Sequence, residues 1–346
     1  MILSILFFVL ILGTIVLVHE FGHFFFAKLF GVYVYEFAIG MGPKLFGWKS
    51  KKGETSYSLR LIPIGGYCQM AGEGTGDDEK ISKDRLLQSK PVWQRFLIMF
   101  FGAGNNFILA LIVLFFLGLT MGCPSNSTVI GVIDGSPAQI AGLMENDEIT
   151  HINGNRTKTL DDLELYLMLS EGETEVTVLR DNQEVTTKVT PLTQEEAEAL
   201  GENYTFGITF DQNVETGFVA SIKYAFTKFG ALIRQMVITL KELFTGGISV
   251  KELSGPVGIY SAVDQVRSQG FANLFYLLAL LSINVGFINL IPFPAFDGGR
   301  ILFLIIEKIK GSPVKAETEN MIHNIGFFIL LGLIILVTIF DIIKLF

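Results

Sequence analysis

His19-Glu20-Phe21-Gly22-His23 closes an uncharged apolar run, Met1 to Val18, and is followed at once by Phe24-Phe25-Phe26-Ala27. On a helix the two histidines, four residues apart, share one face about a turn from each other, with Glu20 beside them. Two neutral imidazoles so placed bind a zinc ion, and a glutamate next to them serves as general base. The apolar flanks put this cluster inside a membrane.

The composition outside the cluster agrees. Half of the 346 residues are hydrophobic, more than a soluble globular domain of this size commonly carries. Four windows, about 2–28, 96–121, 271–306 and 324–340, are long and apolar enough for the roughly 20-residue helix that spans a bilayer. The first has no basic segment before it and no small-residue cleavage site ahead of the histidines, so it reads as a retained helix rather than a signal peptide. Cys68 and Cys123 fall on opposite sides of the membrane in this reading and are apolar fillers rather than a disulfide.

The net charge of −8 is unevenly spread. Between Cys123 and Glu215 the only basic residues are Arg156, Lys158, Arg180 and Lys188, against eighteen Asp and Glu, whereas from Lys28 to Arg95 eleven Lys and Arg face seven acids. Basic residues in short loops mark the cytoplasmic side, so 28–95 is expected inside and the acidic segment outside. Nucleic acid is excluded as a partner of so acidic a domain.

Along the chain, Gly31 to Lys44 and Ser56 to Tyr67 alternate and carry β-formers between Gly and Pro, which predicts a membrane-associated hairpin over about 31–71. Two readings of it stand: an edge that holds an extended substrate at Leu61, Ile62, Gly65 and Gly66, or a hairpin that only packs on the helices. Residues 72–90 read as a flexible loop leading to an interfacial helix, with Pro91 and Trp93 at a helix start. Gly102, Gly104, Asn105 and Asn106 in the second crossing suit close helix packing, with a substrate contact by Asn106 as the alternative.

Beyond Pro124 the pattern turns to β runs at Thr128–Ile133, Glu148–Ile152, Glu175–Arg180 and Glu184–Thr190, with one helical run at Leu160–Leu169. This is the signature of a small α+β domain over 122–200, and Ser136 to Gly154 looks like the characteristic stretch of PDZ domains, which capture an extended peptide or a C-terminus. A module that only filters access sterically is the other reading. His151 is expected to be an ordinary surface or partly buried histidine. Within a linker over 201–270, Phe218, Ile222, Phe226, Phe229, Ile233, Val237, Leu240 and Phe244 form one stripe. It lies either on the outer membrane surface or against the PDZ-like module.

Pro292, Pro294 and Gly298-Gly299 cannot sit in an unbroken helix, so the third crossing should unwind where protein or water satisfies its backbone. Asp297 then lies in or near the bilayer, where a carboxylate is costly unless a cation holds it. A zinc bound by two histidines needs a third protein ligand, and Asp297 is the expected one; the alternative is a structural Asp capping the helix that follows.

Taken together, His19 to Phe24, Phe37 to Lys44, Ile62 to Tyr67, Gly255 to Ile259 and Asn289 to Gly299 resemble the site-2 protease family of intramembrane zinc metalloproteases. The form with one PDZ module, typified by bacterial regulators of envelope stress, is the nearest in pattern. The resemblance implies a polytopic α-helical membrane protein with about four transmembrane helices and an inserted extracytoplasmic PDZ-like domain. A first core half over 1–121 and a second over 271–346 would flank that insertion. It implies Zn2+ held by His19, His23 and Asp297, with Glu20 catalytic. It also implies a bacterial cell membrane, the N-terminus and PDZ-like domain outside, and the metal toward the cytoplasmic side. The expected substrates are single-pass transmembrane proteins such as anti-sigma factors or signal-peptide remnants, already cut by another protease and hydrolysed within the bilayer in regulated intramembrane proteolysis. Because a helix hides its carbonyls, such a substrate must unwind before attack, and Asn289 would either bond the unwound backbone or the oxyanion, or satisfy the broken helix itself. Ala295 and Phe296, and Gly102 to Asn106, depart from the commonest family pattern. A different class remains: a membrane-anchored PDZ adaptor whose metal is structural, against which stands Glu20, since a structural site needs no base.

Overall fold

The computed structural model describes residues 2–51, 53–73, 78–125, 128–170, 172–200, 204–210 and 213–344, with the backbone alone at 63, 64, 194, 200 and 316. The chain forms two compact units, Met1–Leu114 with Ser249–Phe346, and Phe115–Ile248.

In the first unit, helix α1 (Ile2–Leu29) carries the two histidines, and Lys28 in its last turn complements the carbonyl end of the helix. Two long antiparallel strands follow, β1 (Val34–Lys49) and β2 (Ser56–Met70). They fold over on themselves. Glu36 to Ile39 lie opposite Gly66 to Gln69 and also opposite Ser56 to Leu59, while Lys44 to Lys49 pair with Ser56 to Arg60. The bend needs Gly40, whose φ is 83° and where a β-carbon would meet the Ile62 carbonyl oxygen at 2.5 Å. Glu36 clamps the fold by accepting hydrogen bonds from Ser58, Arg60 and Tyr67.

The loop expected over 72–90 is partly outside the described residues, at 74–77. From Asp78 to Ser89 the chain makes three short 3-10 turns instead of a flexible lead to an interfacial helix. They are fixed by backbone bonds from Tyr33 N–H to the Arg85 carbonyl and from Leu87 N–H to the Ala71 carbonyl, and Leu87 is buried beside Val32, Val34 and Ile98. Helix α2 (Val92–Met121) starts directly after Pro91.

The second unit continues through β3 (Cys123–Pro124), β4 (Ile130–Val132), α3 (Pro137–Ile140), β5 (Glu148–Ile152), β6 (Asn155–Arg156) and α4 (Leu160–Met168). It ends with β7 (Thr174–Arg180), β8 (Gln183–Val189), α5 (Gln194–Leu200), β9 (Ile208–Phe210), β10 (Val214–Glu215) and α6 (Phe218–Thr245). A four-stranded sheet in the order β6-β5-β7-β8 and a pair β4-β9 enclose Ile130, Leu143, Ile149, Leu163, Val176, Val178 and Phe206. Ser136 caps α3 by accepting from Gln139 N–H, with Pro137 at the first helical position. The segment expected to be linker after residue 200 therefore contributes a strand, because Gly207 to Phe210 alternates as β4 does and completes its ladder. Helix α6 meets α4 through charge: Lys228 pairs with Asp161, and Arg234 with Asp162 at 2.9 Å. Phe218, Phe226, Val237 and Phe244 of its apolar stripe stay exposed, so that stripe is not core against this module.

The chain then re-enters the first unit with α7 (Pro256–Arg267), α8 (Phe271–Leu290), α9 (Asp297–Lys310) and α10 (Ala316–Ile343). Asp341 of α10, buried, accepts the Gly255 and Gly258 N–H groups at 2.9 and 2.8 Å and so caps α7. Among the described residues, four helices are long and apolar enough to cross a membrane: Ile2–Leu29, Val92–Met121, Phe271–Leu290 and Glu317–Ile343. The window expected over 271–306 is thus a crossing that ends at Leu290, a break at the prolines, and a separate helix.

Outside the spans, Glu54 bonds Arg85 at 2.9 Å and Lys28 at 3.4 Å, tying the hairpin to the end of α1. The Arg85 hydrogen bonds, then the charges of Arg85 and Lys28, outweigh partial burial and bring the Glu54 carboxyl from its ordinary 4.5 down to about 2. A depressed carboxyl stabilises above its unfolded pKa and loses that contribution as pH falls through the folded one. Thermal unfolding in detergent should therefore show a loss between about pH 4.5 and about pH 2 that Glu54→Gln reduces; an unchanged pH profile in the variant would refute the tie.

Candidate active site

Three polar side chains from two distant segments meet. His19 Nε2 and His23 Nε2 stand 3.2 Å apart, and Asp297 Oδ2 lies 3.2 Å from the first and 3.3 Å from the second. Donors about 2.05 Å from a tetrahedral ion stand about 3.3 Å from one another, so the triangle has the size of three zinc ligands. The chemistry of the donors agrees. His23 Nδ1 is 2.9 Å from the Ile98 carbonyl oxygen, which can only accept, so Nδ1 carries the proton and Nε2 presents a lone pair. Asp297 Oδ2 and His19 Nδ1 are buried without a hydrogen-bond partner. Two lone pairs and a carboxylate crowded at one point are satisfied by a cation.

Each donor is placed by backbone that cannot bear a side chain. A β-carbon on Gly22 would lie 1.9 Å from the Phe101 carbonyl oxygen, so α1 and α2 touch backbone to backbone at the histidine turn. One on Gly102 of α2 would lie 2.3 Å from His23 Nε2 and 3.0 Å from Asp297 Oδ2. Gly102 therefore keeps open the place where the donors converge. On the other side, β-carbons at Gly298 and Gly299 would meet the Ile291 and Phe293 carbonyl oxygens at 2.3 and 2.5 Å. The break folds back on itself there and delivers Asp297 as the first residue of α9.

The site opens on a cavity of about 600 Å³ lined by His19, Glu20, His23, Asn289 and Asp297, by Tyr67 to Met70 of β2, and by Glu73 and Arg300, which form an ion pair. Glu20 and Asn289 both line this cavity together with the three donors. Gly66 packs on α1: a β-carbon there would lie 3.4 Å from Glu20 Cγ. Leu61 and Ile62 are exposed and, with Gly65, are not among the cavity's lining residues. The strand reaches the cavity at Tyr67 to Met70 instead, since fifteen residues of folded-over strand cannot all border one site. Asn106 is also absent from the lining. It is fully buried between α2 and α8, where its carbonyl accepts from Ser282.

Comparison with known proteins now bears on this geometry. The model of peptidase family M50 matches residues 7–333. The chain belongs to that family. With it comes the site-2 type of zinc metalloprotease, a membrane-embedded peptidase. A Clostridium perfringens protein named as a zinc metalloprotease is 39% identical over 341 residues, 98% of either chain. Zinc metalloprotease RasP of Bacillus licheniformis is 35% identical over 418 residues, and regulator of sigma-W protease RasP of Bacillus subtilis 34% over 420, each covering 98% of both chains.

Two features were not read from the sequence: that Gly102, there a packing residue, leaves room beside the donors, and that the Ile98 carbonyl holds His23 Nδ1; the strand end Cys68 to Met70 joins them as cavity lining. A glycine reads alike in sequence whether it admits a helix or a metal. Gly102→Ala should lower metal retention in purified protein by at least about tenfold with all three donors intact; stoichiometry by elemental analysis at full occupancy would show that α2 does not bound the metal position.

Proposed function

We propose that His19, His23 and Asp297 hold the zinc of this M50 peptidase and that Glu20 is its general base. The observation that carries the reading is the triangle of donor atoms with Glu20 on the same cavity wall. When bound, zinc supplies the Lewis acidity that brings the pKa of a water toward neutrality and polarises a peptide carbonyl. Glu20 would take a proton from the attacking water on a carboxylate oxygen as the water oxygen bonds to the peptide carbon, and would pass it to the amine nitrogen as the C–N bond breaks. The Asn289 amide, at the end of α8 on the same cavity, donates to the substrate backbone or the developing oxyanion.

The substrate is a transmembrane segment of a single-pass protein, locally unwound because a helical carbonyl is closed to attack. Its extended backbone lies along Tyr67 to Met70, the part of β2 that borders the cavity. The charge distribution supports a topology in which the basic hairpin side is cytoplasmic and the acidic unit is outside a bacterial cell membrane. That unit serves as a PDZ-like module. The Ser136 to Gly154 stretch forms α3 and β5, and a groove of about 570 Å³ lies between α4 and the segment that leads into β9, lined by Leu167, Met168, Phe206 and Ile208. An extended peptide, such as the end left by a first protease, would add to that edge.

The test is direct. Glu20→Gln should keep its zinc and lose cleavage of a membrane-spanning reporter by about 100-fold or more, whereas Asp297→Asn should lose zinc itself. Cleavage retained in the first variant removes Glu20 as the base, and full metal content in the second puts the third ligand elsewhere.

A further inference from the structure

The backbone that carries Asp297 is held in a conformation its own sequence does not favour. Ala295 has a φ of 84°, the left-handed region that a residue with a β-carbon avoids. Nearby bonds run within the break, from Phe293 N–H to the Ile291 carbonyl and from Phe296 N–H to the Phe293 carbonyl, and these tighten it without fixing it to the rest of the unit. The Ala295 N–H instead donates to His323 Nδ1 on α10, at 3.1 Å.

A second contact comes from the same face of α10. A β-carbon at Gly326, three residues on, would lie 2.4 Å from Pro294 Cβ and 2.5 Å from the Pro294 carbonyl oxygen. Residues three apart on a helix are neighbours, so His323 and Gly326 together form a seat for Pro294 and Ala295. The His323 ring is further set by Phe303 of α9, centroids 5.8 Å apart. The helix that follows Asp297 and the last helix of the chain thus both bear on this imidazole. It is neutral and bare at Nδ1, since it accepts a hydrogen bond there.

We propose that His323 is a positioning residue for the metal centre: it pins Ala295 in its left-handed conformation and so aims the Asp297 carboxylate at His19 and His23. It acts through the loop, touching neither donor nor substrate. The inference rests on the assignment of Asp297 as third ligand.

The distinguishing feature is that the pin is needed because Ala295 is strained. Glycine at 295 adopts the same φ without cost, so Ala295→Gly should make the pin dispensable. Four proteins are compared in detergent: native, His323→Ala, Ala295→Gly and the double variant, with His323→Gln as the conservative replacement that keeps an acceptor. The readouts are zinc retained against a chelator and, after exchange with cobalt, the intensity of the visible ligand-field bands, which reports tetrahedral geometry without any turnover. His323→Ala should weaken retention roughly 10- to 100-fold and lower the cobalt bands, His323→Gln should recover part of the loss, and the loss should be clearly smaller in the Ala295→Gly background. Equal losses in both backgrounds would mean a general packing defect and overturn the proposal, as would unchanged retention and spectrum in His323→Ala. Should His323→Ala fail to fold, the Gln variant is compared in the two backgrounds by the same criterion. Asp297→Asn is the reference: if it retains zinc, the ligand assignment fails, whereas loss there with full retention in His323→Ala sinks the positioning role alone.

Discussion

Three lone-pair donors held about 3 Å apart in a region of low dielectric repel one another, and the rest of the first unit is arranged around enduring that repulsion. A helix supplies two of the donors at no geometric cost, through a four-residue spacing. The third must come from a separate segment and cannot come from a regular crossing, because a span that ran straight past would offer a side chain on its flank and no free helix end. The prolines at 292 and 294 interrupt the span, the glycines at 298 and 299 let the chain fold back, and Asp297 emerges at the start of a new helix. Polar backbone freed by such a break is tolerated at membrane depth only where protein encloses it. Here α10 does so.

Close approach is the second requirement. Gly22 and Gly102 bring α1 and α2 together until main-chain atoms touch, which lets a main-chain carbonyl, that of Ile98, choose the tautomer of His23. The helix backbone thus sets the chemistry of the donors as well as their positions. The hairpin repeats the device: its own glycines, at 40 and 66, let strand backbone reach its neighbours and Glu20.

Much of this was legible in the residues. The histidine pair, the glutamate, the aspartate and the proline break announce themselves because charge and helix-breaking residues are expensive in an apolar stretch. The β runs of the acidic unit were equally plain. Other features were not. Gly102 looked like any small residue in a crossing, since absence of a side chain has no sign that tells a helix from a metal. Of the family-like motif Ile62 to Tyr67 it is Tyr67, followed by Cys68 to Met70, that borders the cavity, because a fold-over register depends on long-range pairing that alternation does not encode. Strand β9 lay hidden behind an acidic helix, and short 3-10 turns leave no periodic trace. The α6 stripe was visible, but its docking by Lys228 and Arg234 to α4 required knowing which acids faced it.

The position of the histidine turn within α1 has a mechanical consequence. At about 1.5 Å per residue, His19 sits some 15 Å from the Leu29 end of the helix and some 26 Å from Ile2. A peptide severed at that depth is divided unequally. For a transmembrane substrate such as the one proposed above, the longer fragment would keep enough apolar length to remain anchored, while the shorter one would have little left to bury on the side bearing Lys28. Departure of the short product would then need no motor, and its loss to water would keep the cut from being resealed.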